Sequence, residues 1–131
     1  MEFAPSVRKI LDRRGRPWSW PRHRPGCDLS RAELAASGRL SYKGFLGPLA
    51  TGRATLRDRR GPSLVLRWPV EVHPYAGIYI NRGEAYGHQQ WAVEPTNARV
   101  DGLAELDGDK SPLHWLAPGE TREWFVTARV A

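Results

Sequence analysis

The sequence predicts an all-β protein: an antiparallel β-sandwich with one short helix. The chain has 131 residues, and its 11 prolines and 13 glycines favour short strands and turns over a helical bundle. Short segments of strand-forming residues alternate with turn residues at regular spacing. The last segment, 121–130, alternates apolar and polar residues with a period of two, which is typical of a half-buried strand.

The first part of the chain is basic and rich in proline. We expect residues 1–16 to be a poorly ordered basic segment and residues 17–131 to form the sandwich domain. Residues 17–21, Pro-Trp-Ser-Trp-Pro, should be extended, since a proline disfavours helix in the residue before it. The capping-box pattern at 30–33, followed by apolar residues and Gly38, predicts a short helix at about 30–37.

The strands are predicted, in chain order, at 40–46, 52–58, 63–68, 75–80, 89–94, 103–106 and 121–130. The turn residues at 58–62 join the second and third of these into a hairpin. Pro95 is expected to end the fifth strand directly after Glu94, because a proline has no N–H to donate to a strand ladder.

Charge and composition exclude several classes of protein. Residues 1–60 hold 14 Lys/Arg against 5 Asp/Glu, whereas residues 61–131 hold 6 against 9. The single cysteine, Cys27, cannot form an internal disulfide. The sequence has no apolar run of membrane-spanning length and no hydrophobic signal segment at its start. We therefore expect a soluble cytoplasmic protein that does not contact a membrane.

The residues typical of metal and cofactor sites are not arranged in any known pattern. No two of the four histidines have the spacing of a helical zinc motif, and Cys27 has no partner cysteine. Asp107 and Asp109 resemble a fragment of a calcium loop without the remaining ligands. The sequence contains no phosphate-binding glycine loop. We expect neither a metal nor a cofactor.

The segment 75–97 mixes aromatic, amide and acidic residues in the way that sugar-binding sites do. Aromatic rings offer flat apolar faces to the C–H groups of a sugar, and polar side chains contact its hydroxyls. Within this segment Glu94 is a candidate general base. A solvated acid at the end of a strand explains the same pattern, and the residues alone favour that simpler interpretation.

Several short motifs, taken in order, resemble the second half of an aldose 1-epimerase-like domain of the galactose mutarotase superfamily. They cover about residues 17–131, and the turn Pro118-Gly119-Glu120 before the last strand is the most specific of them. The motifs are Trp20-Pro21, Asp28-Leu29-Ser30, the paired segments 52–58 and 64–68, Tyr79-Ile80-Asn81, Trp91 to Thr96, Asp101-Gly102-Leu103, and Leu116 to Thr121.

The resemblance implies half of a β-supersandwich that binds a monosaccharide in a shallow groove. In that family a glutamate takes a proton from the anomeric hydroxyl, a histidine protonates the ring oxygen, and the opened sugar recloses as the other anomer. By resemblance Glu94 is the base and Asp28 contacts sugar hydroxyls, with Asn81, Gln90 and Trp91 as further candidates for substrate binding.

The chain departs from the family in lacking the first half of the domain, which carries the acid histidine. We therefore expect a truncated C-terminal portion whose enzymatic activity is uncertain. A non-catalytic carbohydrate-binding module is the alternative. Binding of nucleic acid through the arginines of the basic segment is less favoured. Half a supersandwich exposes apolar strand edges, so a homodimer through those edges is a further expectation.

Overall fold

The computed structural model describes residues 1–25, 27–31, 39–58, 60–102 and 116–131. Within these ranges the chain is all-β, as predicted, and its sheets are antiparallel. The strands are β1 (Lys9–Asp12), β2 (Pro17–Ser19), β3 (Arg22–Arg24), β4 (Cys27–Asp28), β5 (Leu40–Leu46), β6 (Arg53–Arg57), β7 (Ser63–Arg67), β8 (Tyr75–Arg82), β9 (Gln89–Thr96) and β10 (Thr127–Val130).

The largest sheet has five strands in the order β2-β1-β5-β8-β9. A three-stranded sheet has the order β10-β7-β6, and its β6–β7 pair is the predicted hairpin. The strands β3 and β4 form a separate two-stranded sheet. This arrangement of packed antiparallel sheets is consistent with the β-sandwich that the sequence predicts.

The core lies between the two larger sheets. Ile10, Leu46 and Ile78 of the five-stranded sheet are fully buried, and they belong to one apolar cluster with Ala54 and Trp68 of the hairpin. Side chains alternate across a strand, so the residues that follow these in the sequence point to the other side of the large sheet. We call that other side the outer face.

The structure differs from the expectation for residues 1–16. This segment contains β1, which pairs with β5 through Ile10, Leu11 and Asp12. Met1 also lies in the apolar cluster, and its amino group donates a hydrogen bond to the carbonyl of Ser30. The segment is therefore part of the five-stranded sheet, because its few apolar residues fill the core next to β5.

Pro95 does not end β9, which continues to Thr96. The sheet tolerates the proline because β9 is an edge strand in the pairing of the described strands, so a residue without an N–H can face away from the ladder. Glu94 consequently lies inside a strand, opposite Gly77 of β8, and not at a strand end as the sequence analysis assumes.

The last strand is shorter and more exposed than predicted. β10 spans only Thr127–Val130, since its partner β7 ends at Arg67 and offers no further backbone to pair with. The apolar side chains in this region are exposed: Trp124 by 54%, Phe125 by 72% and Val130 by 67%. The alternating pattern therefore identifies a strand but overestimates its length and its burial.

Two predicted elements fall outside the described residues. The short helix expected at about 30–37 lies largely on residues 32–38, and the strand at 103–106 lies within 103–115. In the part of the chain that the structure describes, no helix combines the length and the hydrophobicity needed to cross a bilayer.

Candidate functional site

A charged cluster occupies the outer face of the five-stranded sheet. It consists of Arg13, Lys43, Glu94 and Asp101. Lys43 lies on β5, opposite Tyr79 of β8, and Glu94 lies on β9, opposite Gly77 of β8. The pairing register therefore brings together side chains from β5 and β9 that are 51 residues apart in sequence.

Lys43 is the centre of this cluster. Its ammonium donates a hydrogen bond to Oε2 of Glu94 and lies 3.5 Å from Oδ1 of Asp101. The second carboxylate oxygen of Asp101 is 3.1 Å from Nε of Arg13. The Lys43 side chain is only 14% exposed, whereas that of Glu94 is 46% exposed. The lysine thus fixes a carboxylate that remains open to a ligand.

Gly77 provides the space for the ion pair between Lys43 and Glu94. A Cβ at this position would lie 3.2 Å from Oε2 of Glu94 and 3.5 Å from Nζ of Lys43. The glycine backbone therefore forms a floor beneath the pair. Tyr79, the next outward-facing residue of β8, is half-buried beside it and adds an aromatic ring.

An open groove of about 410 Å³ adjoins the cluster at the end of β1. We call it the arginine groove. Four cationic side chains line it, together with one carboxylate, three rings and a serine. The lining residues are Asp12, Arg13, Arg14, Arg16, Trp18, His23, Ser41, Tyr42 and Lys43. Lys43 therefore belongs to both the groove and the charged cluster.

Asp12 holds the wall of the arginine groove in place. Its Oδ1 accepts hydrogen bonds from the backbone N–H groups of Arg14 and Arg16, both at 2.9 Å. Its Oδ2 accepts one from Nε of Arg16 at 2.7 Å and one from Nε1 of Trp18 at 3.3 Å. Burial raises the pKa of Asp12, but these hydrogen bonds outweigh it and lower the pKa to about 2.

We expect Asp12→Asn to lower the free energy of unfolding by about 2 kcal/mol at pH 7. Because the folded-state pKa is depressed, this stabilisation is complete above the ordinary aspartate pKa of about 3.9 and is lost as the pH falls towards 2. Urea unfolding of wild type and variant at neutral and acidic pH measures it. Asp58→Asn is the control, since exposed Asp58 accepts only the Arg60 N–H among the bonds described. A constant difference between wild type and Asp12→Asn at all pH values would contradict this role.

The side chain of Tyr42 lies between the arginine groove and the core. Its ring packs against His23 at 4.6 Å between centroids, and His23 in turn packs against Trp18 at 4.4 Å. Burial, followed by the nearby charge of Asp12, raises the pKa of the Tyr42 hydroxyl. The hydroxyl has no hydrogen-bond partner among the described residues. It is therefore a neutral hydroxyl that lies buried beneath the groove.

The structure does not bring all the predicted site residues together. Gln90 is exposed and shares the outer face with Glu94. Asn81 is also on that face, but its amide is used by the following turn: Oδ1 accepts the N–H groups of Glu84 and Ala85, and Nδ2 donates to the Ala85 carbonyl. Trp91 packs against the core, on the opposite face from Glu94.

Asp28 lies well away from Glu94. Its Oδ1 accepts hydrogen bonds from the backbone and hydroxyl of Ser30, and its carbonyl accepts one from the buried guanidinium of Arg82. Arg82 is five residues along β8 from Gly77, or about 17 Å. These contacts give Asp28 a structural role: it stabilises β4 and the residues that follow it.

The histidines contribute no metal site in the residues described. His73 is buried and its ring meets that of Trp124 at 5.2 Å, whereas His88 is exposed before β9. His23 lines the arginine groove, and His114 falls outside the described residues. The described part of the chain holds no group of three metal-binding side chains.

The sequence singles out Glu94 as a candidate but does not indicate the residues that contact it. Lys43 is one of only three lysines and stands inside a largely apolar strand, and this is the one signal of a buried role that the sequence offers. Nothing in the sequence connects Arg13 or Asp101 with Glu94, because the contacts depend on the pairing register and on the position of residues 97–102.

Comparison of the chain with known protein families, with curated proteins and with solved structures gives no match.

Proposed function

We propose that the outer face around Glu94 binds a free aldose, as an aldose 1-epimerase-like site. The observation that carries this proposal is the half-exposed Glu94 carboxylate held by Lys43 on an open sheet face. A carboxylate there accepts hydrogen bonds from sugar hydroxyls, and the ammonium donates them. Beside them the ring of Tyr79 supplies an apolar surface of the kind that the C–H face of a pyranose requires.

Glu94 is proposed as the base of the anomerisation reaction. Its carboxylate accepts the proton of the anomeric hydroxyl, while a second group gives a proton to the ring oxygen and the C1–O5 bond breaks. Rotation about C1–C2 and reversal of both proton transfers then yield the other anomer. Lys43 positions the carboxylate through its hydrogen bond to Oε2.

The alternative is a carbohydrate-binding module that uses the same face without catalysis. One observation favours it: the histidines described in the structure are not part of the charged cluster, and the acid of the reaction is therefore unassigned. Calorimetric titration with D-galactose and D-glucose tests for binding by either candidate. Polarimetry of freshly dissolved α-D-glucose then separates them, because only the enzyme accelerates the change in rotation above the uncatalysed rate. No heat with either sugar would contradict both.

Gly77→Ala tests whether the position of the ion pair matters for the ligand. The added methyl group would shift the Glu94 carboxylate, since a Cβ at residue 77 lies 3.2 Å from its Oε2. We expect the affinity for D-galactose, measured by calorimetry, to fall about five-fold or more. Gly102→Ala is the matched control, because a Cβ there meets no atom of the described residues within 4 Å. Equal affinities of the two variants would show that the sugar does not contact this pair.

A further inference from the structure

We propose that β10 pairs antiparallel with β10 of a second copy of the chain, so that the protein is a homodimer with one continuous sheet across both copies. That sheet runs β6-β7-β10 in one copy and β10-β7-β6 in the other. The inference does not rest on the proposed function, because β10 belongs to the three-stranded sheet whereas the charged cluster lies on the five-stranded sheet.

The segment 121–130 has an open backbone edge in the part of the chain that the structure describes. Within the three-stranded sheet, β10 has β7 on one side and no described strand on the other. Residues 121–126, directly before β10, make no described backbone hydrogen bond. A row of unpaired N–H and C=O groups is a template for pairing with a strand of another chain.

The other outer strands of the two larger sheets are protected against such pairing. Glu2 covers β6: its N–H donates to the Thr55 carbonyl at 2.8 Å, and its own carbonyl accepts the Thr55 N–H at 2.9 Å. β9 carries Pro95, and β2 has only three residues and begins with Pro17. Prolines and short strands keep sheet edges from pairing with each other. Among the described residues β10 has none of these protections.

The pairing of β10 with β7 determines which backbone groups face the open side. Ala131 and Ser63 exchange both of their backbone hydrogen bonds, at 2.7 Å and 2.8 Å. Hydrogen-bonded pairs alternate along an antiparallel ladder, so residues 129 and 127 bond to β7 as well. Ala128 and Val130 therefore direct their N–H and C=O groups to the open side, and Val126 continues this direction. A second strand can bond only with even-numbered residues of the two copies opposite each other.

Charge selects one register among those that the hydrogen bonds allow. A two-fold axis at Val126 pairs even-numbered residues with even-numbered ones and places Glu123 of each copy opposite Arg129 of the other. An axis at residue 125 or residue 127 keeps the hydrogen bonds but separates these charges. Glu123 and Arg129 are both exposed, and no ion pair of either is described. In the dimer they form a non-hydrogen-bonded pair, in which opposite side chains lie closest.

The same register covers the exposed apolar side chains before β10. Trp124 lies opposite Ala128 of the second copy, and Val126 lies opposite Val126 of that copy. Trp124 and Val126 are exposed in the single chain, and removing their apolar surface from water favours association. The second copy thus supplies the strand partner that residues 121–126 lack in the described chain, where only Thr127–Val130 is paired.

Sedimentation velocity of the full chain between about 1 µM and about 100 µM tests the inference. The expected species at the higher concentrations has twice the mass of the chain. Ala128→Pro should remove the dimer, because it deletes an N–H that faces the open side and leaves the bonds of residues 127, 129 and 131 to β7. Circular dichroism verifies that this variant is folded. A wild-type chain that stays a monomer over the whole range would overturn the inference.

Exchange of the two charges tests the register. Glu123→Arg places arginines opposite each other, and Arg129→Glu places glutamates opposite each other, so each variant should raise the dissociation constant of the dimer about ten-fold or more. The double variant restores opposite charges and should associate like wild type. Glu71→Arg, an exposed substitution in the turn before β8, is the control and should change nothing. Single variants that associate like wild type, or a double variant as weak as the single ones, would overturn the inference.

Discussion

Replacement of Gly52 by alanine is expected to destabilise the protein by about 3 kcal/mol. Gly52 lies just before β6, where its carbonyl accepts the Trp68 N–H at 2.9 Å. A Cβ at residue 52 would lie 1.9 Å from the carbonyl oxygen of Trp68 and 2.9 Å from its carbonyl carbon. Because these atoms are backbone, no change of rotamer relieves the overlap, and the β6–β7 hairpin must separate.

Urea unfolding followed by tryptophan fluorescence measures the effect of Gly52→Ala. Trp68 is buried in the core cluster, so the signal reports directly on the packing that the substitution disturbs. Gly102→Ala is the matched control and should stay within about 0.5 kcal/mol of wild type, as surface substitutions usually do. Unchanged stability of Gly52→Ala would mean that the hairpin does not have this register.

Substitution of Lys43 by methionine is expected to weaken binding of D-galactose about ten-fold, since a hydrogen bond to a charged group contributes about 1.5–3 kcal/mol. Without the ammonium, Glu94 and Asp101 lose the cation that lies between them and repel each other. The methionine keeps the length and the apolar part of the side chain, and besides the ion pairs it removes the contact of the ammonium with the Phe45 ring, 5.7 Å from its centroid.

Lys9→Met separates the role of Lys43 from a general effect of charge. Lys9 is exposed on β1 and lies opposite Ser19 of β2. Both variants lower the net charge by the same amount, but only Lys43→Met should weaken binding of the sugar by calorimetry. Unfolding curves verify that both variants are folded. A Lys43→Met protein that binds galactose like wild type would remove the charged cluster from the site.

The sequence predicts those parts of the fold that depend on local pattern. The hairpin β6–β7 is confirmed because alternation and the turn residues at 58–62 act within a short stretch. β1 is missed because its place in the sheet depends on pairing with β5, more than 30 residues away in sequence. Pro95 misleads for a similar reason: whether a proline ends a strand depends on whether that strand is an outer one.

The candidate site is predictable only in part. Glu94 stays a prediction that rests on its residue type, its neighbours and the family resemblance, whereas Trp91 and Asn81 are assigned to the site on sequence proximity alone. Alternation places Trp91 on the core side of β9, and the turn after β8 uses the amide of Asn81. The contacts that build the charged cluster join β5, β9 and the residues that follow β1 and β9. They depend on the register in which the strands pair, and the sequence does not specify that register.

The most direct test of the central claim is calorimetric titration of D-galactose into wild type, Glu94→Gln and Glu71→Gln. Glu71 is exposed in the turn before β8 and serves as the matched control. Glutamine at residue 94 keeps the shape of the side chain but loses the charge that contacts Lys43 and accepts sugar hydroxyls. The account predicts that Glu94→Gln loses about ten-fold or more in affinity while Glu71→Gln binds like wild type. Equal binding by all three proteins, or no binding by any, would contradict it.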